Sequence, residues 1–138
     1  MKNVTIIVTP KQSAQTFTLD LVLGILGCQK ITKKNEEQAE AIFRDLRKGD
    51  IYFIEEPGMD STDLCLQVQE MNEHFINNGR NLGLLVIDSP QYLNDNDTTR
   101  FYEAFFDINM TASKLEVPVF FISNGREWSK RAHSWPPI

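Results

Sequence analysis

"LGLLVIDSPQYL", residues 82 to 93, is an unbroken apolar run that ends in a carboxylate, Asp88, and breaks at once into a Pro-containing turn. A run of this kind without polar alternation fits a strand covered on both faces. Three other stretches have the same character: "NVTIIV" at 3 to 8, "IYFI" at 51 to 54 and "VPVFFI" at 117 to 122. Between them the apolar spacing turns helical. Leu19, Val22, Leu23 and Leu26 mark a helix ending near Gly27, and Ala39, Ile42, Phe43 and Leu46 mark a second ending at Gly49. A third starts at "DSTD", where Asp60 or Ser61 can cap the free amides, and runs along Leu64, Val68, Met71 and Phe75. Phe101, Phe105, Ile108, Ala112 and Leu115 give the clearest helical stripe. Strands alternating with helices predict a layered α/β fold with a mostly parallel sheet of about four strands, connected by right-handed crossovers. Ligands of such folds bind beyond the carboxyl ends of the strands. Here those ends are Thr9 to Gln15, Glu55 to Gly58, Asp88 to Leu93 and Ser123 to Glu127.

The 138 residues suit one domain over 1–138, with 128–138 as a tail prone to fraying. A formal charge of -5 argues against coating nucleic acid by bulk electrostatics, so any DNA contact must be local. Cys28 and Cys65 sit in apolar helical patterns without a C-x-x-C or a histidine at ligand spacing, and read as buried thiols rather than a metal site. No stretch reaches the roughly 18 apolar residues of a membrane span, and "MKNVTIIVTP" is too short in its apolar part for a signal peptide. A cytoplasmic protein is expected, with no membrane partner. His74 falls on the polar side of the third helix, and Glu55 and Glu56 read as an acidic loop.

Asp88 alone says little, because many strands end in an aspartate that caps the next turn. Its surroundings are more specific. "IDSPQYL" resembles the "IDYLQL" run of the DnaB family of hexameric replicative helicases, RecA-like phosphate-loop ATPases, with Asp88 and Gln91 on matching positions. "IYFIEEPGMDSTDL" resembles that family's "IYIDDTPGLTIEEL", and "SKLEVPVFFISNGRE" its "KELNVPVIALSQLNR", which places Ser123 and Asn124 at a sensor-like strand end. "ITKKNEEQAEAIFRDL" fits the helical segment ahead of the second strand. The matches run in order through most of residues 31 to 131. The resemblance implies a RecA-like three-layer domain in which Asp88 corresponds to the magnesium-orienting aspartate.

It also locates a departure. Where the family's phosphate loop reads P-G-M-G-K-T-T-F, this chain has Pro10, Lys11, Gln12, Ser13, Ala14, Gln15, Thr16 and Phe17. A phosphate loop needs glycines so that amides can close on the phosphate, a lysine for its charge and a hydroxyl for magnesium. Val8 and Ser13 stand at the glycine positions, Ala14 at the lysine and Gln15 at the hydroxyl, while Lys11 lies three residues early. Only about four residues separate Gly27 from Thr32, where the family has a strand with its general-base glutamate, and the chain ends before the region of the arginine finger. Phosphoryl transfer relies on all of these parts. The expectation is a chain that is not an enzyme, with no catalytic residue, metal or cofactor, and with Asp88 kept for a structural hydrogen bond.

What remains is binding. RecA-like cores of this resemblance assemble side by side, which implies a protein partner in replication or recombination, a replicative helicase for instance, or a homo-oligomer. "SNGREWSKRAHSW" interleaves Arg126, Lys130 and Arg131 with Trp128 and Trp135, a pattern that suits single-stranded DNA by phosphate pairing and base stacking. Asp95 and Asp97 nearby oppose it. An unconventional nucleotide-binding ATPase is the third alternative.

Overall fold

The structure is a computed structural model that describes residues 2–10, 12–88, 90, 93–94 and 100–122. Its elements follow the chain as β1 (Lys2–Val8), α1 (Ala14–Leu26), α2 (Glu36–Lys48), β2 (Ile51–Ile54), α3 (Ser61–Asn77), β3 (Arg80–Asp88), α4 (Phe101–Leu115) and β4 (Val119–Ile122). The strands form one all-parallel sheet in the order β2-β1-β3-β4. This is the α/β architecture expected from the alternation of patterns.

Local chemistry sets the boundaries. Gly27 closes α1 in a left-handed conformation at φ 68°, which a residue without Cβ adopts cheaply. Asp60 caps α3 by accepting from the Thr62 amide at 2.8 Å. α2 carries Glu36 and Glu37 in its first turn and Arg47 and Lys48 in its last, matching the helix dipole. β1 and β3 slip register between Val4 and Thr5; there Gly83 lies so near Asn3 that a Cβ would sit 3.0 Å from it.

The main core lies on one side of the sheet. Val4, Ile6, Val8, Leu82 and Ile87 meet Leu64, Val68, Phe75, Ala104 and Ile108 of α3 and α4. Burying such side chains is worth roughly 1.5–3 kcal/mol each before the entropy of ordering is set against it. The other side differs from the sequence expectation. β1 and β3 are closely covered, but β4 alternates half-buried and exposed residues, with Phe120 63% exposed. Continuous apolarity does not distinguish a central strand from one with a neighbour on a single described side. α1 differs too: Leu19, expected on the core face, is 40% exposed, and Val22 is the helix's one buried residue. No helix among the described residues is long and apolar enough to cross a membrane.

Candidate functional site

The parallel register brings the strand ends to one edge. Val8 pairs with Ile54 and with Ile87, so Thr9, Glu55 and Asp88 emerge side by side. Asp88 pairs with Ile122, which leads to Ser123. Three of the four expected ligand-edge segments therefore begin where the alternation of strands and helices put them, and residue 123 lies outside the described residues, as do Lys11, Gln91, Asn124, Arg126, Trp128, Lys130 and Arg131. The tail 128–138 does too.

In the described part of the loop that resembles a phosphate loop, each side chain has a definite place. Pro10 is buried in the turn after β1. Ser13 is the N-cap of α1; its hydroxyl accepts from the Thr16 amide at 3.1 Å and lies 3.0 Å from the Thr16 hydroxyl. Ala14 opens the helix, and its amide donates to Glu55 Oε1 at 2.8 Å. Gln15 and Thr16 are exposed on the first turn. The start of α1, where a RecA-like ATPase would present amides to a phosphate, thus meets a carboxylate from the chain itself. An anion at a helix N-terminus is a favourable placement by both hydrogen bonding and dipole.

Asp88 is 8% exposed at the end of β3, and its Oδ2 accepts from Gln12 Nε2 at 3.0 Å. The donor of this bond comes from the loop that resembles a phosphate loop. Thr9 is fully buried between the two, its hydroxyl without a partner among the described residues. Sequence reasoning missed Gln12 and Glu55 as contributors. Both are polar residues within a few positions of a strand end, but only the order β2-β1-β3 shows which of the strand ends are neighbours.

The loops after β2 and β3 are locked together beside this edge. Asn94, 2% exposed, accepts from the Ser61 amide through Oδ1 at 2.8 Å, and its backbone amide donates to Met59 O at 2.8 Å. Ser61 Oγ donates to Asp107 Oδ2 at 2.9 Å. Arg100 bridges Asp60 at 3.1 Å and Glu103 at 2.9 Å. The Thr62 amide and then Arg100 hold the Asp60 carboxyl below its ordinary range, and Glu103 and Asp60 push the Arg100 guanidinium up. Gln91 and Asp95 lie outside the described residues.

A second feature lies beneath α1 and starts at its first turn, where Ala14 and Gln15 line it. A groove of about 550 Å³ runs between α1, α2 and the β1–β2 face, lined by Phe17, Leu21, Phe43, Leu46, Phe53 and others. Phe17 and Phe53 meet edge to face at 6.1 Å. Residues 27–35 join α1 to α2 as a loop, so no strand intervenes there. Neither thiol takes part in a disulfide: Cys65 is buried, its thiol pushed up by desolvation, and Cys28 is half-buried and accepts from Asn35 Nδ2 at 3.3 Å. No group of histidine, cysteine or carboxylate side chains suited to a metal occurs among the described residues.

An all-parallel sheet in the order β2-β1-β3-β4 flanked by helices is a RecA-like α/β fold. Its solved neighbours include a DnaB-like replicative helicase, studied with its interactions with primase, at a TM-score of 0.68 and 14% identity over 99% of this chain. A second solved neighbour, an ATPase domain, superposes with a TM-score of 0.65 and 15% identity over 97%. The chain spans 35% of the length of the first and 51% of the second. No protein-family model matches the chain, and no curated protein does. The resemblance read from residues 31 to 131 therefore holds at the level of fold.

One expectation is overturned. The absent phosphate-loop glycines and lysine lead to the expectation that the chain is not an enzyme; its neighbours in structure are a helicase and an ATPase domain, which point toward an enzyme fold.

Proposed function

We propose that this chain is a protein-binding module of DNA replication or recombination, built on a RecA-like core, whose working surface is the face formed by α1 and α2. The observation that carries the reading is α1. Its sequence, "AQTFTLDLVLGIL", has one charged residue, Asp20, and the composition of a helix buried on all sides, yet Val22 is its one buried residue. Leu19 and Leu21 are 40% exposed and Ile25 58%. A helix apolar around most of its circumference is normally covered. With the groove beside it, α1 offers a continuous apolar surface of the sort protein interfaces use at their centres. The DnaB-like neighbour, described with its interactions with primase, supports a replication protein as the kind of partner. The test is binding of a purified replicative helicase or recombinase to the immobilised chain, with Leu21→Asp and Ile25→Asp as the variants that should lose it.

A nucleotide-binding enzyme is the second reading, favoured by Asp88 at the carboxyl end of β3 on a fold shared with ATPase domains. A bound nucleotide at 100 times its dissociation constant would add about 2.7 kcal/mol of stability. Thermal unfolding with and without ATP and magnesium measures it directly, and no shift at millimolar nucleotide removes this reading.

A further inference from the structure

The exposed side of α2 carries a charge pattern with a symmetry of its own. In "EEQAEAIFRDLRK" the acids Glu36, Glu37 and Glu40 are mirrored about position 42 by Lys48, Arg47 and Arg44. Each of these three acids has a base at the same distance on the other side of Ile42; the fourth acid of the helix, Asp45, mirrors onto Ala39 and stands outside the pattern. The helix dipole accounts for acids in the first turn and bases in the last, but Glu40 and Arg44 lie in the middle. Among the described residues these six form one ion pair, between Lys48 and Asp45 at 3.8 Å. The other five are exposed, without a side-chain partner among the described residues.

Arg47 also lines the apolar groove. Glu40 and Glu36, seven and eleven residues earlier, fall on the same stripe of the helix. The charge pattern therefore borders the apolar surface of α1 and the groove rather than lying on an unrelated side.

A mirrored acid-to-base sequence is self-complementary under one operation, a two-fold axis that sets two copies of the helix antiparallel. Position 36 then meets 48, 37 meets 47 and 40 meets 44, each an acid opposite a base. The two helix dipoles also oppose favourably. An isologous contact of this kind is the commonest way in which identical chains close into a dimer. We infer that the α1–α2 face is a homodimer interface in which the α2 helices of two copies pack antiparallel across a two-fold axis. The inference rests on α1 and α2 forming the docking surface, and names a second copy of this chain as its occupant.

Two 13-residue helices make a face about 20 Å long and about 20 Å wide, about 400 Å² a copy, below the size of standard specific interfaces and suited to a weak, transient dimer that dissociates in the micromolar range. Sedimentation velocity on the full chain over roughly 1 to 200 µM should take the mass from 15.9 kDa toward twice that value. Glu37→Lys with Glu40→Lys, or Arg44→Glu with Arg47→Glu, should each leave a monomer with unchanged far-ultraviolet circular dichroism. Mixed one to one, the two charge-reversed proteins should form a dimer again, because each mirrored position then sets a base of one chain opposite an acid of the other. Ile25→Asp, at an exposed position, should weaken the wild-type dimer at least tenfold without touching α2.

A wild-type chain that stays monomeric throughout overturns the inference, as does a dimer indifferent to both reversals. A mixture no more associated than its components also overturns it, since the contact would then not be two-fold. A monomer that still captures a helicase leaves the docking surface standing with a different occupant; a dimer that captures neither helicase nor recombinase leaves the homodimer standing alone.

Discussion

Replacing Asn94 by alanine should cost this domain a large part of its stability, and the reason is local. Asn94 Oδ1 accepts the Ser61 amide at 2.8 Å where both residues are buried, and Ser61 is the first residue of α3. Alanine leaves that buried amide without its acceptor, a penalty of about 1–3 kcal/mol. Asn94 also has φ 54°, a left-handed conformation that asparagine tolerates and alanine enters at a further cost of about 1 kcal/mol. Together the loss is about 2–4 kcal/mol. With an unfolding entropy near 2.1 cal/mol/K per residue, about 3 kcal/mol over 138 residues lowers Tm by about 10 °C. Asn94→Gly separates the two contributions, because glycine relieves the backbone and still removes the acceptor; it should fall between wild type and Asn94→Ala. Asn94→Asp keeps the acceptor but loses the Nδ2 donations to Ser61 Oγ and the Arg100 carbonyl, each 3.4 Å, and buries a carboxylate, so it too should be less stable than wild type. Urea unfolding with a common slope measures all three. An Asn94→Ala protein within about 0.5 kcal/mol of wild type, or an Asn94→Gly protein as stable as wild type, would refute the argument that this residue locks the two loops.

Three further outcomes are expected. Glu55→Ala removes the carboxylate at the start of α1 and should cost about 0.5–1 kcal/mol in urea unfolding, with Glu55→Gln costing less because its amide oxygen can still accept from Ala14. Asp60, held below its unfolded value near 3.8 by the Thr62 amide and by Arg100, contributes stability that is present above about pH 4 and is lost as pH falls through its folded value; Asp60→Asn should flatten that part of the stability-pH curve. In mass-spectrometric alkylation at pH 8, Cys28 should react first and Cys65 should stay protected until the chain unfolds, because desolvation disfavours the Cys65 thiolate.

Much of the fold can be read from periodicity. IYFI forms β2 over the expected 51 to 54, the stripe from Phe101 to Leu115 is α4, and the Asp60 cap and the Gly27 stop lie where their side-chain chemistry requires. Burial around the elements is less legible. Leu19 and Phe120 have core-like composition and sit exposed, because burial depends on what lies opposite an element and a one-dimensional pattern records only the element itself. The strand-end site is partly legible for the same reason. Asp88 follows from an apolar run ending in a carboxylate, whereas the Glu55 to Ala14 contact joins residues 41 positions apart and needs β2 beside β1. The expectation about enzyme class comes from one loop, and the fold around that loop, shared with a helicase and an ATPase domain, points the other way.

The reading of α1 and α2 as a docking face on a RecA-like core is tested most directly by interferometry of a purified replicative helicase, and in parallel a recombinase, over the immobilised chain. Wild type should bind one of them saturably, and Leu21→Asp and Ile25→Asp, both folded by circular dichroism, should weaken that binding at least tenfold, about 1.4 kcal/mol each. Equal binding by the variants, or no binding of either protein by the folded wild-type chain, would contradict it.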